Sequence, residues 1–330
     1  MDPKNTFFSC DWGTSSFRLL LVERHTLTVL AQVSSREGNA AIDKSWQQAK
    51  QPPAQRLDFY LGVLQPHLQK LEVIMKMSLK GVPIVISGMA SSTIGMAELP
   101  YKPLPFATDG TNLQTKYLPP TARFEQPILL ISGVKSEDDV MRGEETQLVG
   151  CALENTPQLQ LFLHPGTHTK HVQVQHGRAV SLTTYMTGEV FSLLSKESIL
   201  AASVEEGGQL EEGNNQQWFA KGIQDSQQAN LLHNAFLVRT QDLFRKATRQ
   251  ENYFYLSGLV IGSECQDLVR NLPARIVLAG KPVLVAHYSA ALHVLGIADK
   301  VPVEVKNGED VTIKGQWAVF QGSQMEKEDA

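Results

Sequence analysis

Apolar residues fall along this chain in two rhythms: short, mainly apolar runs that predict strands, and longer stretches with apolar residues three to four apart that predict helices. Phe7 to Asp11 and Phe17 to Val22 are two such runs joined by Trp12-Gly13-Thr14-Ser15-Ser16, the pattern of a hairpin. Leu57, Leu61, Leu64, Leu68, Leu71 and Ile74 then mark one face of a helix over Leu57 to Lys80, and Val82 to Ile86 is an apolar strand. A further strand is expected at Ile128 to Ile131, an acidic helix start at Ser136-Glu137-Asp138-Asp139 and a helix over Glu144 to Leu153. The pattern then restarts: strand Leu159 to Leu163, turn His164 to Lys170, strand His171 to Gln175, and a possible continuation of the hairpin through Ala179 to Thr183. Helices are expected over Gly188 to Leu200, Ala229 to Arg249 and Tyr253 to Ile261, strands at Arg275 to Leu278 and Pro282 to Ala286, and a flexible loop over Glu205 to Gln217. The charged tail after Gln321 is expected to fray.

A strand, Gly-Thr turn and strand thus occur twice, near residues 11 and 165, as in a weak internal duplication. At 330 residues the chain exceeds what one core supports, and the fold class expected is α/β with two domains, 1–150 and 151–330, whose terminal helix can return to the first. Apolar residues at 42% against charged ones at 19% mark a globular chain with no segment destined for disorder. A net charge of -4 supplies no general field for nucleic acid or anionic lipid, so anions must be held locally. Cys10, Cys151 and Cys265 lack disulfide or CxxC spacing and read as buried thiols. Met1 to Thr6 lacks a signal-peptide pattern and no apolar run approaches a membrane span, which predicts a cytoplasmic protein.

The segment Asp11-Trp12-Gly13-Thr14-Ser15-Ser16 is the most informative. Amides and hydroxyls on one turn form an anion nest, and glycine lets phosphate oxygens reach the main chain. An acidic residue at the strand end can hold hydrated Mg²⁺. The plain alternative is an ordinary turn with a capping aspartate. The second turn, Pro165-Gly166-Thr167-His168-Thr169-Lys170, repeats the Gly-Thr amides and adds a cation. With both turns present, the chain resembles the sugar kinase, heat-shock ATPase and actin superfamily. That resemblance implies two ribonuclease-H-like domains (actin/hexokinase-like), each with a phosphate hairpin, and an interdomain cleft for ATP and substrate. No Walker P-loop or protein-kinase Gly-rich motif competes with it.

Three further segments narrow the resemblance: Ile86-Ser87-Gly88-Met89-Ala90-Ser91-Ser92 with Glu98-Leu99-Pro100-Tyr101, Asp139 to Gln147 ending at Gly150, and the Pro-Gly-Thr-His-Thr-Lys turn. Together with Thr187-Gly188-Glu189, Ser257 to Gly262 and Tyr288 to Leu292, they are similar to the 2-dehydro-3-deoxygalactonokinase family across essentially the whole chain. Departures at His164, Thr169 and His171 leave Gly166, Thr167, His168 and Lys170 in place. The resemblance implies phosphorylation of 2-dehydro-3-deoxy-D-galactonate by ATP at its terminal hydroxyl.

Such a kinase needs a carboxylate to accept the hydroxyl proton. Gly143-Glu144-Glu145 resembles the place where hexokinase-like relatives carry their base, and Glu144 is favoured, because adjacent helical residues point about 100° apart. The alternative is that both glutamates only complement the positive end of a helix. The substrate carboxylate and keto group need donors, for which Asn39, Ser87, Gly88, Met89, Ser91, Tyr101 and Arg142 are candidates, while Arg18 is as readily a strand residue reaching solvent. Gly258, Gly262 and Gly280 are candidates for adenosine, with close helix packing as the alternative. Phosphates are assigned to Gly13, Thr14, Ser15, Gly166, Thr167, His168 and Lys170, and Mg²⁺ to Asp11, through water. Nine histidines without an HxH or HExxH pair argue against a transition metal. The partners expected are a small sugar acid, neither nucleic acid nor membrane, with a homodimer allowed. Two rival functions stay open: a kinase of another sugar or sugar acid such as 2-dehydro-3-deoxygluconate, and a non-catalytic actin-like nucleotide-binding module.

Overall fold

The computed structural model describes Pro3 to Ser323; the end of the charged tail and the first two residues lie outside that range. The chain divides into two compact units. One runs to Asn155, takes back His176–Leu182 and ends with the segment from Gly308; the other consists of Thr156–Gln175 and Thr183–Asn307.

In the first unit, the apolar runs flanking the Gly-Thr turn form β1 (Thr6–Trp12) and β2 (Phe17–Glu23). β3 (Val29–Ser35), α1 (Asn39–Ala49), α2 (Arg56–Met75) and β4 (Ile84–Gly88) follow. Short strands β5 (Lys102–Pro103), β6 (Phe106–Ala107) and β7 (Thr115–Leu118) lead to β8 (Ile128–Ile131), β9 (Val134–Lys135) and β10 (Val140–Met141), and then to α3 (Glu144–Gly150). The main sheet has the order β3-β2-β1-β4-β8-β7. β1 to β3 are antiparallel neighbours, whereas β1, β4 and β8 run parallel.

Strand alternation divides the labour on β1. Phe8, Cys10 and Trp12 enter a core with Tyr60, Leu64, Leu68 and Leu71 of α2. Phe7 stacks instead on Trp317 of the C-terminal helix Gly308–Gln321, and Gln316 of that helix donates to the Cys10 carbonyl and the Ser87 hydroxyl, each at 2.9 Å.

The second unit contains β11 (Gln160–His164), β12 (Thr169–Gln175) and the end of β13 (Arg178–Tyr185), whose residues up to Leu182 count with the first unit, then α4 (Thr187–Lys196), α5 (Asn215–Ser226), α6 (Leu231–Leu243), α7 (Arg249–Glu264) and α8 (Gln266–Arg270). β14 (Arg275–Gly280), α9 (Pro282–Val294) and β15 (Val303–Asn307) complete it. The second six-stranded sheet runs β15-β14-β11-β12-β13-β6, again with its first long strand, β11, parallel to the two that follow the helices. Each unit therefore has the ribonuclease-H-like strand order 3-2-1-4-5, and the duplication expected from two turns is a duplication of folds.

Three local expectations are corrected. Pro282 to Ala286 is the first turn of α9, not a strand, because proline at the first helical position costs no hydrogen bond. Ser136 to Asp139 is a bend between β9 and β10, closed by Ser136 N–H on the Asp139 carbonyl (2.8 Å) and Asp139 N–H on the Ser136 hydroxyl (2.9 Å). The polar side chain thus supplies a local bond that competes with helix. The loop expected over Glu205 to Gln217 stops earlier, since α5 begins at Asn215.

Candidate active site

The first unit gathers its candidate residues at the carboxyl ends of β1 and β4, where Asp11 stands opposite Ser87 and Trp12 opposite Gly88 in a parallel ladder. Parallel strands ending together expose a polar edge at which α/β folds bind ligands. The turn after β1 closes by Gly13 N–H on the Ser16 carbonyl at 2.9 Å and leaves Thr14 and Ser15 exposed. It rests on the start of α1: Asn39 and Ala40 donate their amides to the carbonyls of Gly13 and Thr14. Asn39 is fully buried, and its Nδ2 donates to the carbonyls of Trp12 (2.9 Å) and Gly13 (3.2 Å). The structure therefore uses Asn39 to pin the turn.

Gly88 and Gly143 meet back to back. Both have positive φ, +91° and +109°, and a Cβ on Gly143 would lie 3.5 Å from the Gly88 Cα. A Cβ on Gly88 would lie 2.8 Å from the Trp12 carbonyl and 3.6 Å from Asp11 Oδ1, so only glycine lets these loops close around the Asp11 carboxylate. This brings Asp11, Gly88 and the start of α3 together.

At that helix start the two glutamates part. Glu144 is half-buried, and its Oε2 accepts the Arg142 amide at 2.9 Å. Glu145 is fully buried, accepting from Gly143 N–H (2.7 Å) and from the Thr146 hydroxyl (3.1 Å). Burial first, and the neighbouring Glu144 charge second, push the Glu145 carboxyl up to about 8. Below the ordinary carboxylate range both folded and unfolded chains hold this proton. Between that range and about pH 8 only the unfolded chain releases it, so folding stability falls as pH rises and levels off above about 8. Glu145→Gln keeps an acceptor for Gly143 and removes this loss. Denaturant unfolding should show almost no change at pH 4 and a gain on the order of 4 kcal/mol at pH 8.5.

Arg142 lies with its guanidinium 4.2 Å over the Tyr101 ring, and Nη1 donates to the Ser91 carbonyl (2.7 Å) and hydroxyl (2.6 Å). Ser91 passes its own hydroxyl proton to the Ile131 carbonyl at 2.7 Å. The Arg142 Nε is buried with no hydrogen-bond partner. Tyr101, Ser91 and Arg142 thus form one cluster, with Met89 half-buried on the loop after β4. Ser87 is turned away from it, toward Gln316. Arg18 is salt-bridged to Glu309 at 2.6 Å on a partly exposed surface.

In the second unit the turn between β11 and β12 is held by α4. Glu189 N–H donates to the Thr167 carbonyl at 3.0 Å, and a Cβ on Gly188 would stand only 2.5 Å from the Gly166 carbonyl and 2.8 Å from Thr167 Cα. Thr167 and His168 are exposed, with His168 paired to Glu189. Lys170 is buried, its Nζ donating to the Thr184 hydroxyl at 2.9 Å.

Gly166 lines a cavity of about 690 Å³ bounded by Phe191, Tyr253, Val260, Leu284 and His287. That is the size range of small-molecule and cofactor sites, and its walls are mainly apolar. Of the three glycines assigned to adenosine, Gly258 and Gly262 do not face it. They lie where α7 packs on α5, a Cβ on Gly258 coming 2.1 Å from the Phe219 carbonyl and one on Gly262 2.3 Å from Ser226 Oγ. Ser257, Val260 and Ile261 of the same helix do line the cavity. Gly280 abuts Pro165 at the base of the turn. No group of three or more histidine, cysteine, aspartate or glutamate side chains is placed to hold a metal among the described residues. Asp11 with the Thr14 and Ser15 hydroxyls offers hard oxygen donors, which suits a largely hydrated Mg²⁺.

The family model for 2-keto-3-deoxy-galactonokinase matches residues 11–319. A 2-dehydro-3-deoxygalactonokinase of Escherichia coli (strain K12) is 30% identical over 301 residues, covering 88% of this chain and 90% of its own. A protein of Rhizobium meliloti (strain 1021) named as a probable 2-dehydro-3-deoxygalactonokinase is 30% identical over 273 residues, 80% of each chain. A crystal structure from Sinorhizobium meliloti, provisionally assigned to the same activity, superimposes with a TM-score of 0.77 at 27% identity over 96% of this chain and 98% of its own. With a twofold ribonuclease-H-like fold, a glycine turn on the wall of a cavity of about 690 Å³ and a match spanning both units, this chain belongs to the 2-keto-3-deoxy-galactonokinase family.

Proposed function

We propose that the chain transfers the γ-phosphoryl group of ATP to the terminal hydroxyl of 2-dehydro-3-deoxy-D-galactonate. It is an ATP-dependent sugar-acid kinase of its family. The observation that carries the reading is the Gly166-Thr167 turn opening into the 690 Å³ cavity, which supplies both a phosphate nest and an apolar slot for adenine. In this reading Gly166, Thr167, His168 and Lys170 hold phosphate in the second unit, and Gly13, Thr14 and Ser15 do so in the first. Mg²⁺ held through water by Asp11 would neutralise charge on the transferring group. Glu144 accepts the proton of the attacking hydroxyl, its carboxylate fixed by the Arg142 amide.

Arg142 meets the substrate carboxylate. Its ring stacking and two bonds to Ser91 fix the guanidinium before substrate arrives, and a buried donor without a partner awaits an anion. Lysine cannot reproduce this planar fork. Arg142→Lys should raise KM for the sugar acid by about 10- to 100-fold, the equivalent of one charge-assisted hydrogen bond, and leave KM for ATP nearly unchanged. Steady-state kinetics with each substrate varied in turn checks it.

The test of the whole reading is purified protein with Mg-ATP and each epimer of the 2-keto-3-deoxy sugar acid, the product being identified by mass and NMR. Phosphorylation of the galactonate-derived acid at its terminal oxygen is the expected result. Nucleotide binding with no turnover of either acid would overturn it.

A further inference from the structure

Beneath the turn of the second unit lies a carboxylate that the proposed chemistry does not use. Glu264, at the end of α7, has a side chain only 1% exposed. Its Oε2 accepts from the Tyr288 hydroxyl at 2.6 Å and from the Thr187 hydroxyl, and its Oε1 is 2.8 Å from His171 Nε2. Since Tyr288 donates to Glu264, the Thr169 hydroxyl at 2.9 Å donates to Tyr288. The three partners of Glu264, with Thr169 behind Tyr288, come from three elements. Thr169 and His171 are on the strand that leaves the turn, Thr187 opens the helix whose Gly188 and Glu189 hold the turn from the other side, and Tyr288 lies on α9 and lines the cavity. One buried carboxyl group therefore ties the turn to two walls of the cavity. Removing it would leave three buried polar groups, on Tyr288, Thr187 and His171, without this partner, which favours movement of the elements that carry them.

We propose that Glu264 is a positioning residue for nucleotide: by accepting from Tyr288, Thr187 and His171 it fixes the turn at Gly166 and Thr167 relative to the cavity walls. The inference rests on the assignment of this turn and cavity to ATP. It predicts a selective defect, because none of these groups belongs to the Arg142 cluster of the first unit, which takes the sugar acid in the proposed function.

The test uses the full chain and its Glu264→Gln, Tyr288→Phe and Glu264→Gln/Tyr288→Phe variants. ADP affinity is measured by calorimetry, and KM for ATP and for 2-dehydro-3-deoxygalactonate by coupled assay. Glu264→Gln keeps size and polarity but replaces one acceptor by a donor; Tyr288→Phe deletes a single hydroxyl and guards against a first variant that does not fold. Each single variant should raise Kd for ADP and KM for ATP at least tenfold and change KM for the sugar acid less than twofold. The double variant should be within twofold of Glu264→Gln, because both changes break the same link. Unchanged ADP affinity in either folded variant, or equal rises in both KM values, would overturn the role of Glu264 while leaving the kinase reading intact. A wild-type chain that binds no adenine nucleotide would overturn both.

Discussion

Glu144→Gln is expected to keep its fold and its ADP affinity while losing two to four orders of magnitude, about 10²- to 10⁴-fold, in kcat. The position makes the substitution informative. Glu144 opens α3, and its Oε2 is anchored on the Arg142 amide. Glutamine can keep that bond through its own carbonyl oxygen, so the side chain stays in place and only the ability to accept a proton is lost. Glu145 cannot replace it, being turned into the interior with both oxygens engaged by Gly143 and Thr146. A coupled ADP assay at saturating substrates reads the effect directly, with the Glu145→Gln chain as the companion expected to stay active. A Glu144→Gln chain within threefold of wild type would move the role of base to another carboxylate, with Asp11 the nearest choice along the same sheet edge.

The second large effect is steric. Gly188→Ala adds one methyl group at a place where a Cβ would lie 2.5 Å from the Gly166 carbonyl and 2.8 Å from the Thr167 Cα. Both opposing atoms are backbone, so no rotamer change relieves the clash, and the turn or the start of α4 must shift. In the proposed function this turn holds phosphate, and a displacement near 1 Å in a positioning group can cost about 100-fold. We expect KM for ATP to rise about 10- to 100-fold with stability reduced by about 1 to 3 kcal/mol. Gly62→Ala is the control, since nothing lies within 4 Å of a Cβ there and alanine favours the α2 helix. Its kinetics should match wild type, and its Tm should be equal or higher.

Much of this protein was written in local signals. Predominantly apolar runs at Phe7 to Asp11, Ile128 to Ile131 and Leu159 to Leu163 predict buried strands, because their apolar side chains are unfavourable in solvent. Both Gly-Thr turns and the helical face of Leu57 to Ile74 are of the same kind. What misled was local ambiguity. Pro282 to Ala286 is apolar enough for a strand, and only its continuation into Tyr288, Ala291 and Leu292 against the second core makes it a helix. Asn39 to Ala49 carries few large apolar residues, Ile42 and Trp46, and its start is held by the turn it supports.

The division of roles among similar residues is a tertiary matter throughout. Glu144 and Glu145 are chemically identical in sequence; packing leaves one half-exposed and pushes the other's carboxyl to about 8 by removing its water. Gly258 and Gly262 invite a ligand reading, yet the space beside each is filled by α5, and their neighbours Ser257 and Val260 face the cavity instead. Glu264 stands 93 residues from His171 and 77 from Thr187, so no motif joins them. The central strands and the two turns follow from side-chain chemistry over a few consecutive residues. Which carboxylate is wet, which glycine is open and which distant donors share one anion depend on contacts between segments far apart in the chain, and these exist only once the sheets have formed.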